Sequence, residues 1–437
     1  MKLRSWFDRL EACLDVAAAA NGDPSDLRSL LFGLYRLIEV GPLNIRTAFQ
    51  DLSGETLENN AQDLGEQLSQ GQYHRPPRPN KVTEGVQIAA TLLRGVEQAL
   101  LGLGQAELAP RRAKDLEVSF ANESGWLVPF PPRYRSEPSD WPPYFAKRGL
   151  TQMRCIAREL PSGHRINLQL MGKKTFGEVT GAACLFDRLS LIDQAGNPID
   201  HDAVGSFVVD RIEGTSPQVI ENCLRLALDA DAQVSVVVFP ELSISPDEQK
   251  LIQRLLRTTP WDIALENPRP ALIVAGSWHE RREDGRHENR APVFAGDGRL
   301  VGRHVKHAIF GTNVAGKGVL KEDIVRGEEI LVIVGPDLTV AIAICLDFCQ
   351  VGTSNPYDEL DVDLVLIASM ANSGTTADHR SQADRIWKKR KGATFLAQQN
   401  EGAAGGVCGA SPTPKTDPGF AKESGPAVVL RRISPSA

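Results

Sequence analysis

Along the first hundred residues the apolar positions recur every three or four places. Leu3, Phe7, Leu10, Leu14, Ala17 and Ala18 predict a helix over 3–20, stopped by Asn21-Gly22-Asp23-Pro24. Ser25 is the expected cap of a second helix over 27–40, with Leu30, Leu31, Leu34, Leu37 and Ile38 on one face. Gly41-Pro42 breaks the pattern, and a short helix near 44–52 and a polar one near 57–68 follow. The proline-stiffened, basic stretch 72–81 reads as a link. The longest apolar helix is predicted over 83–103, with Ile88, Leu92, Leu93, Val96, Ala99 and Leu100. Residues 1–110 thus read as a mostly helical region. It either packs on its own core and the next domain or docks a partner protein, and nothing in it carries chemistry.

Residues 111–199 form an irregular, proline-rich intermediate region. Its stretch 130–144 mixes prolines, aromatics and arginines, and strands are predicted at 165–171 and 184–193. From about residue 200 short apolar runs alternate with helical patterns. Strands are expected at 206–211, 233–239, 271–276, 330–334, 339–344, 364–368, 394–399 and 427–433. A hairpin is expected over 291–306, turning at Gly296-Asp297-Gly298. Helices are expected at 216–231, at 246–257 behind a Ser245 cap, and at 380–389. Strands alternating with helices, hairpins among them, predict an α/β sheet of mixed direction over 200–437.

Composition changes this picture little. The chain has 437 residues, 42% of them hydrophobic, which is ordinary for a folded protein of two or three domains. A net charge of -6 argues against a nucleic-acid-binding role, which needs a basic surface. No apolar run approaches the roughly 20 residues that cross a bilayer, and the first residues lack a secretory signal core. The expected location is cytoplasmic. Seven scattered cysteines (13, 155, 184, 223, 345, 349 and 408) fit neither a disulfide framework nor a C-x-x-C zinc site, so neither disulfides nor metal are expected.

Candidate chemistry collects at the ends of apolar strands. Cys345 follows Val-Ala-Ile-Ala-Ile, Glu241 follows Val-Val-Val-Phe-Pro, and Lys306 follows Gly-Arg-His-Val. Strand ends are where an α/β sheet presents groups to a ligand. Taken singly, each has an ordinary structural use: a small core residue, a surface acid, a solvated cation. Together they are a thiol, a base and a cation. A neutral thiol needs a neighbour to take its proton, and a cation can hold a developing oxyanion.

In that order and spacing the three stretches resemble the nitrilase superfamily, the carbon–nitrogen hydrolases. Phe239-Pro240-Glu241, Lys306 after its hairpin, and Ile344-Cys345-Leu346-Asp347 match the family's motifs, with 65 residues from Glu241 to Lys306 and 39 from Lys306 to Cys345. Glu322 lies 16 residues past Lys306, where amidase members carry a substrate-positioning glutamate. Gly409-Ala410-Ser411, with Pro414 and Pro418-Gly419 beyond, resembles the family's late glycine-serine stretch. The resemblance covers about 200–437 and implies a four-layer α-β-β-α sandwich, commonly built into a homodimer or larger homo-oligomer. It implies a cysteine-dependent hydrolase of a non-peptide carbon–nitrogen bond. The substrate would be a small amide or a nitrile, taken through a thioester, with no metal or organic cofactor. Glu241, Lys306 and Cys345 would be catalytic, the Leu346 N–H would serve the oxyanion, and Glu322 would position substrate. The alternative is a hydrolase fold used as an assembly module, with the N-terminal helices recruiting a protein partner and activity gated or secondary. Leu346 stands where aromatics are common in the family, and Asn355-Pro356-Tyr357-Asp358 lacks the usual Pro-Glu. Trp278, His307, Phe310 and Asn372 are pocket candidates. Gly311-Thr-Asn-Val-Ala-Gly-Lys317-Gly318 nearly spells a phosphate-binding loop, but Gly318 stands where the magnesium-holding Ser or Thr belongs, so it reads as a connecting loop.

Overall fold

The structure, a computed structural model, describes residues 2–39, 41–52, 54–100, 121–122, 125–129, 153–171, 176, 179–186, 189–200, 203–228, 234–258, 270–335, 338–349, 355–370, 373–390, 392–399, 406–411, 420–423 and 427–433. The chain divides into two compact units, Met1–Glu159 and Leu160–Ala437.

The first unit is helical, as its periodicity predicts. Its helices are α1 (Leu3–Ala19), α2 (Pro24–Glu39), α3 (Leu43–Gln50), α4 (Gly54–Ser69) and α5 (Val82–Leu100). The stripe Trp6, Leu10, Leu14 and Ala17 of α1 is buried, and the Trp6 indole N–H donates to Leu37 O at 3.0 Å, fixing α1 against the last turn of α2. The cap of α2 differs from expectation. Asp23, not Ser25, closes it, its Oδ1 accepting the N–H groups of Ser25 (2.8 Å) and Asp26 (3.1 Å). The reason is Pro24, which takes the first helical position because it has no N–H to satisfy there. Helices α4 and α5 approach closely at Gly65 and Gly95. A Cβ on Gly65 would lie 2.6 Å from Gln98 Cβ and 3.0 Å from Gly95 O. A three-stranded antiparallel sheet, β1 (Ala121–Asn122), β2 (Gly125–Pro129) and β3 (Met153–Ala157), completes the described part of this unit. The stretch 130–144 lies outside the described residues.

The second unit is mixed α/β, built on two seven-stranded sheets. One runs β21 (Phe420–Glu423), β20 (Gly406–Ser411), β19 (Ala393–Gln399), β18 (Leu364–Met370), β17 (Thr339–Ile344), β16 (Glu329–Val334) and β4 (Arg165–Leu170). The other runs β11 (Trp278–Arg281), β12 (His287–Ala295), β10 (Leu272–Val274), β9 (Val236–Val238), β5 (Val179–Leu185) and β22 (Ala427–Ile433), with β13 (Leu300–Val305) hydrogen-bonded to β12. Strands β17, β18 and β19 are parallel neighbours and are buried along nearly their whole length, as strands covered on both faces are. Alternation sorts each strand's side chains between two cores. Val236 and Val238 join Leu272, Val274 and Val293, together with Ile342, Ile344 and Phe395 of the other sheet. Gly181 lets Phe395 approach, since a Cβ there would sit 2.7 Å from the ring. Val237, Ile273 and Cys184 instead join Ile220 and Leu224 of α6 (Pro217–Leu228) and Ile252 and Leu256 of α7 (Pro246–Thr258). Ser245 caps α7 as expected, its N–H donating to Glu248 Oε2 (2.7 Å) and its Oγ accepting from Glu248 N–H (3.4 Å). Helix α8 (Leu346–Cys349) follows β17, α9 (Pro356–Glu359) precedes β18, and α10 (Ser373–Arg390) packs on β19 and β20.

Three differences from expectation concern the site. The sheets begin well before residue 200: β4 pairs in parallel with β16, and β5 lies between β9 and β22. Such edge and central pairings are made with strands far along the chain, so local pattern does not reveal them. The strand expected over 184–193 is two, β5 and β6 (Ser190–Asp193), in different sheets. Strand β6 pairs with β8 (Val209–Glu213). The expected loop 311–318 is a hairpin of β14 (Gly311–Val314) and β15 (Gly318–Glu322), turning through Gly316 at φ +71°, with β15 beside β7 (Gly205–Phe207). A hairpin with Lys317 exposed is not the strand–loop–helix that cradles phosphate.

Candidate active site

The strands that carry the candidate residues end at one cavity. Glu241 follows β9 by way of Phe239-Pro240, Lys306 follows β13, Glu322 closes β15 and Cys345 follows β17. All four line the same pocket, of about 50 Å³, and all four are buried. The two turns that present the acid and the thiol are conformationally unusual. Leu242 (φ +49°) and Cys345 (φ +47°) lie in the left-handed region that bulky residues rarely adopt. Such backbone persists only where its surroundings hold it. Around Leu242, Ser243 Oγ donates to Pro240 O (2.7 Å) and Ser277 Oγ accepts from Leu242 N–H (3.3 Å). Gly276, itself at φ +61°, passes so close that a Cβ would meet Pro240 O at 2.8 Å. Around Cys345, its N–H donates to Ala368 O (2.8 Å) and His379 Nε2 stands 3.1 Å from its carbonyl oxygen.

The charges form a closed set. Lys306 Nζ donates to Glu241 Oε1 and to Glu322 Oε2, each at 2.7 Å. Asn289, which the sequence reading missed, spends both amide hydrogens on the acids, reaching Glu241 Oε1 at 3.0 Å and Glu322 Oε1 at 2.9 Å. His279, also missed, lies 2.9 Å through Nε2 from Glu322 Oε1, while its Nδ1 accepts from Val209 N–H at 2.8 Å. An Nδ1 that accepts leaves the ring proton on Nε2, which therefore donates to Glu322. The only signal of these two residues in the sequence was a polar side chain inside a buried strand, a common sight.

Burial raises the Glu241 carboxyl and Lys306 pulls it partly back, with Glu322 adding to the rise, so it stays above the ordinary carboxylate range. Burial also opposes ionisation of Glu322, but Lys306 and His279 outweigh it and hold that carboxyl below its usual range. Burial disfavours the Lys306 ammonium, yet Glu241, Glu322 and Cys345 hold it charged well above its ordinary range. The Cys345 thiol is pushed well up by burial first and by Glu241 next, against the pull of Lys306. The site therefore holds a neutral thiol beside a carboxylate of raised basicity. Among the described residues no hydrogen bond joins the two directly. The Met370 backbone stands between them, its N–H donating to Glu241 Oε2 (3.2 Å) and its carbonyl 3.9 Å from Cys345 Sγ. Leu346, half-buried, opens α8, where an N–H has no acceptor within its own helix.

Asp347, two residues past the thiol, ties the site's two halves together. Its Oδ1 accepts from His307 N–H (2.9 Å) and Ala308 N–H (2.7 Å), and its Oδ2 from Ile344 N–H (3.2 Å) and His304 Nε2 (3.0 Å). Among the described residues, His304, His307 and Asp347 are the group whose ligand atoms could meet a metal, lying within 4.8 Å of one another. The four hydrogen bonds on Asp347 account for that carboxylate without an ion.

Of the pocket candidates, Phe310 lines the cavity, Trp278 is buried in the apolar cluster beside it, and His307 faces Asp347 through Nδ1 at 3.4 Å. Asn372 lies outside the described residues, as do Pro414 and Pro418-Gly419. Gly409-Ala410-Ser411 lies in β20, paired with β19.

Residues 214–395 match the family model described as carbon-nitrogen hydrolase. No curated protein matches the chain significantly. Among solved structures it is similar to an amidase from Nesterenkonia sp. (13% identity, 60% of this chain and 92% of that one covered, TM-score 0.40). It is also similar to Nit3 of Saccharomyces cerevisiae, a member of branch 10 of the nitrilase superfamily (14% identity, 60% and 93% covered, TM-score 0.40). Among the described residues no helix is long and apolar enough to cross a membrane. The match over 214–395 is consistent with a carbon–nitrogen hydrolase part in the C-terminal half of the chain.

Proposed function

We propose that the second unit is a four-layer α-β-β-α hydrolase that cleaves a small, non-peptide amide through a thioester on Cys345. The observation that carries this reading is the meeting of Glu241, Lys306 and Glu322 through 2.7 Å contacts on the wall of the pocket that Cys345 also lines. In the first half-reaction Cys345 Sγ bonds to the amide carbon and its proton passes to Glu241. The carbonyl oxygen takes up negative charge against Lys306 Nζ and the Leu346 N–H. Collapse breaks the C–N bond, and Glu241 returns the proton to the leaving amine. In the second half-reaction Glu241 takes a proton from water, the hydroxyl bonds to the thioester carbon, collapse breaks the C–S bond, and Glu241 returns the proton to the departing sulfur. Water and amide are consumed, and acid and amine are released.

Glu322 stays ionised throughout. It positions the substrate through Lys306, which it holds against the carbonyl oxygen, while Asn289 bridges the two carboxylates. The raised basicity of Glu241 suits a group that must accept a thiol proton and give it up again. The test is selective labelling with iodoacetamide, mapped by mass spectrometry, and hydrolysis of simple amides. Cys345 should label faster than the other six cysteines, Glu241→Gln should slow that labelling, and Cys345→Ala should abolish hydrolysis. Full activity in Cys345→Ala would overturn the mechanism.

A further inference from the structure

Resting on that reading, we propose that the substrate is a primary amide with a short, uncharged, apolar acyl chain, and that Leu191, Ile199 and Phe207 select it. Among the described lining residues the polar groups are confined to one place. Glu241, Lys306, Glu322 and Cys345 make up the reacting end, and Lys306 is already engaged by both carboxylates. Every other described lining residue is apolar. Leu191, Ile199 and Phe207 form one wall, and Phe310 and Leu320 continue it. Leu242 and Met370 complete the lining. A charged or hydrogen-bonding tail entering here would lose its water and find no partner among the described residues, which is costly for any polar group.

The cavity also sets a size. Its volume of about 50 Å³ compares with roughly 10–15 Å³ for one water on the same measure, so it holds roughly four water-sized groups. A chain of about four carbons fills it.

The wall is built, not incidental. Asp193 accepts the N–H groups of Ala195 (2.9 Å) and Asn197 (2.8 Å), closing a tight turn. Ile199 N–H then donates to Leu191 O (2.8 Å), which sets the two side chains next to each other. Phe207 sits opposite Glu322 in the β7–β15 pairing, and Asp323 N–H donates to Phe207 O (2.9 Å). Val209 N–H holds His279, which in turn holds Glu322. The apolar wall is therefore registered against the positioning acid. Leu191, Ile199 and Phe207 all precede the stretch that matches the family, 214–395. Selectivity is thus carried by residues outside the stretch that matches the family model, and the reacting groups lie within it.

The experiment measures kcat/KM of the full chain on acetamide, propionamide, butyramide and hexanamide, with succinamate as the charged comparator of butyramide's length. Each methylene buried should raise kcat/KM about fourfold, hence about fifteenfold from acetamide to butyramide, with no further gain at hexanamide. Succinamate should fall below acetamide. Leu191→Ala should move the optimum to hexanamide, and Ile199→Asn should bring butyramide down to the level of acetamide. If Ile199→Asn fails to fold, Leu191→Ala alone decides. Cys345-dependent hydrolysis that is flat along the series, or best on succinamate, overturns this inference and leaves the mechanism standing. Hydrolysis of no amide, in a protein whose Cys345 also resists alkylation, overturns the mechanism and this inference with it.

Discussion

Replacing Lys306 with methionine keeps much of the side chain's bulk and removes its charge. In the native unit the ammonium contacts two carboxylates at 2.7 Å, and all three groups are at most 2% exposed. Without it, Glu241 and Glu322 are left buried with only Asn289, His279 and backbone N–H groups to face. Removing one partner of a buried ion pair costs about 3–5 kcal/mol. The substitution should also reverse a pH dependence. In the native protein the Glu322 carboxyl is held below its unfolded value near 4.3, so its contribution is present above that pH and is lost as pH falls. In Lys306→Met only His279, Asn289 and the Phe310 N–H remain to oppose burial and the Glu241 charge, and burial prevails. The folded carboxyl then titrates above its unfolded value, and the stability deficit, full at pH 7.5, shrinks as pH falls through that raised value. Hydrogen exchange of peptides spanning β17, read by mass spectrometry at pH 7.5 and 5.5 with intrinsic rates corrected, reports this region specifically. The variant should lose about 3–5 kcal/mol of opening free energy at pH 7.5 and less at 5.5. Lys306→Met/Glu322→Gln should recover a good part of it. A loss below about 1 kcal/mol, within the range of an exposed pair, would refute the view that this trio is a buried, mutually dependent charge set. So would a deficit that grows on acidification.

Three further outcomes are expected. Burial pushes the His307 imidazole down to about 4, with Asp347 pulling back, against about 6.5 in an unfolded chain. Protons therefore favour the unfolded state between those values, and stability should rise by roughly 3 kcal/mol from pH 4 to 6.5 on its account. His307→Phe should flatten that rise in the same exchange assay, and parallel slopes would count against it. Gly276→Ala should cost more than about 1 kcal/mol, because the glycine is at positive φ and the added methyl meets Pro240 O. It should also lower turnover by displacing Glu241, and native activity would show that the Pro240 turn gives way freely. Asp23→Ala should cost about 1 kcal/mol through the lost cap of α2, measurable by circular dichroism in urea, whereas Ser25→Ala should be nearly silent.

Cys345, Glu241 and Lys306 were legible because each stands at or just past the end of a strand-like run, where a sheet presents groups to a ligand. Glu322 was legible only from its offset of 16 residues past Lys306 in the resembled family, and the four line the cavity together. Asn289 and His279 were not legible. Their partners lie 48 and 43 residues away, and one polar residue in a strand carries no mark of what it will face. The apolar wall was hidden for a similar reason. Leu191 and Phe207 sit in short strands whose partners, β8 and β15, no local pattern can name, and Ile199 is placed by the turn that follows β6. Strands β4 and β5 were placed before the hydrolase-like region because their pairing with β16 and β9 is likewise long-range. The five helices were read to within about three residues because helix periodicity and breakers are local. The cap of α2 was missed by passing over the N–H that Pro24 lacks, and β1–β3 were missed because the pairing of β2 with β3 is not local.

Met370 has a consequence for how the site moves. One residue at the end of β18 gives its N–H to the acid and faces the thiol with its carbonyl. Glu241 and Cys345 come from different sheets, yet both take their position from the same common datum. Breathing of the two sheets past one another would shift the acid and the thiol in company, so the gap a proton must cross should vary far less than the gap between the strands that carry them.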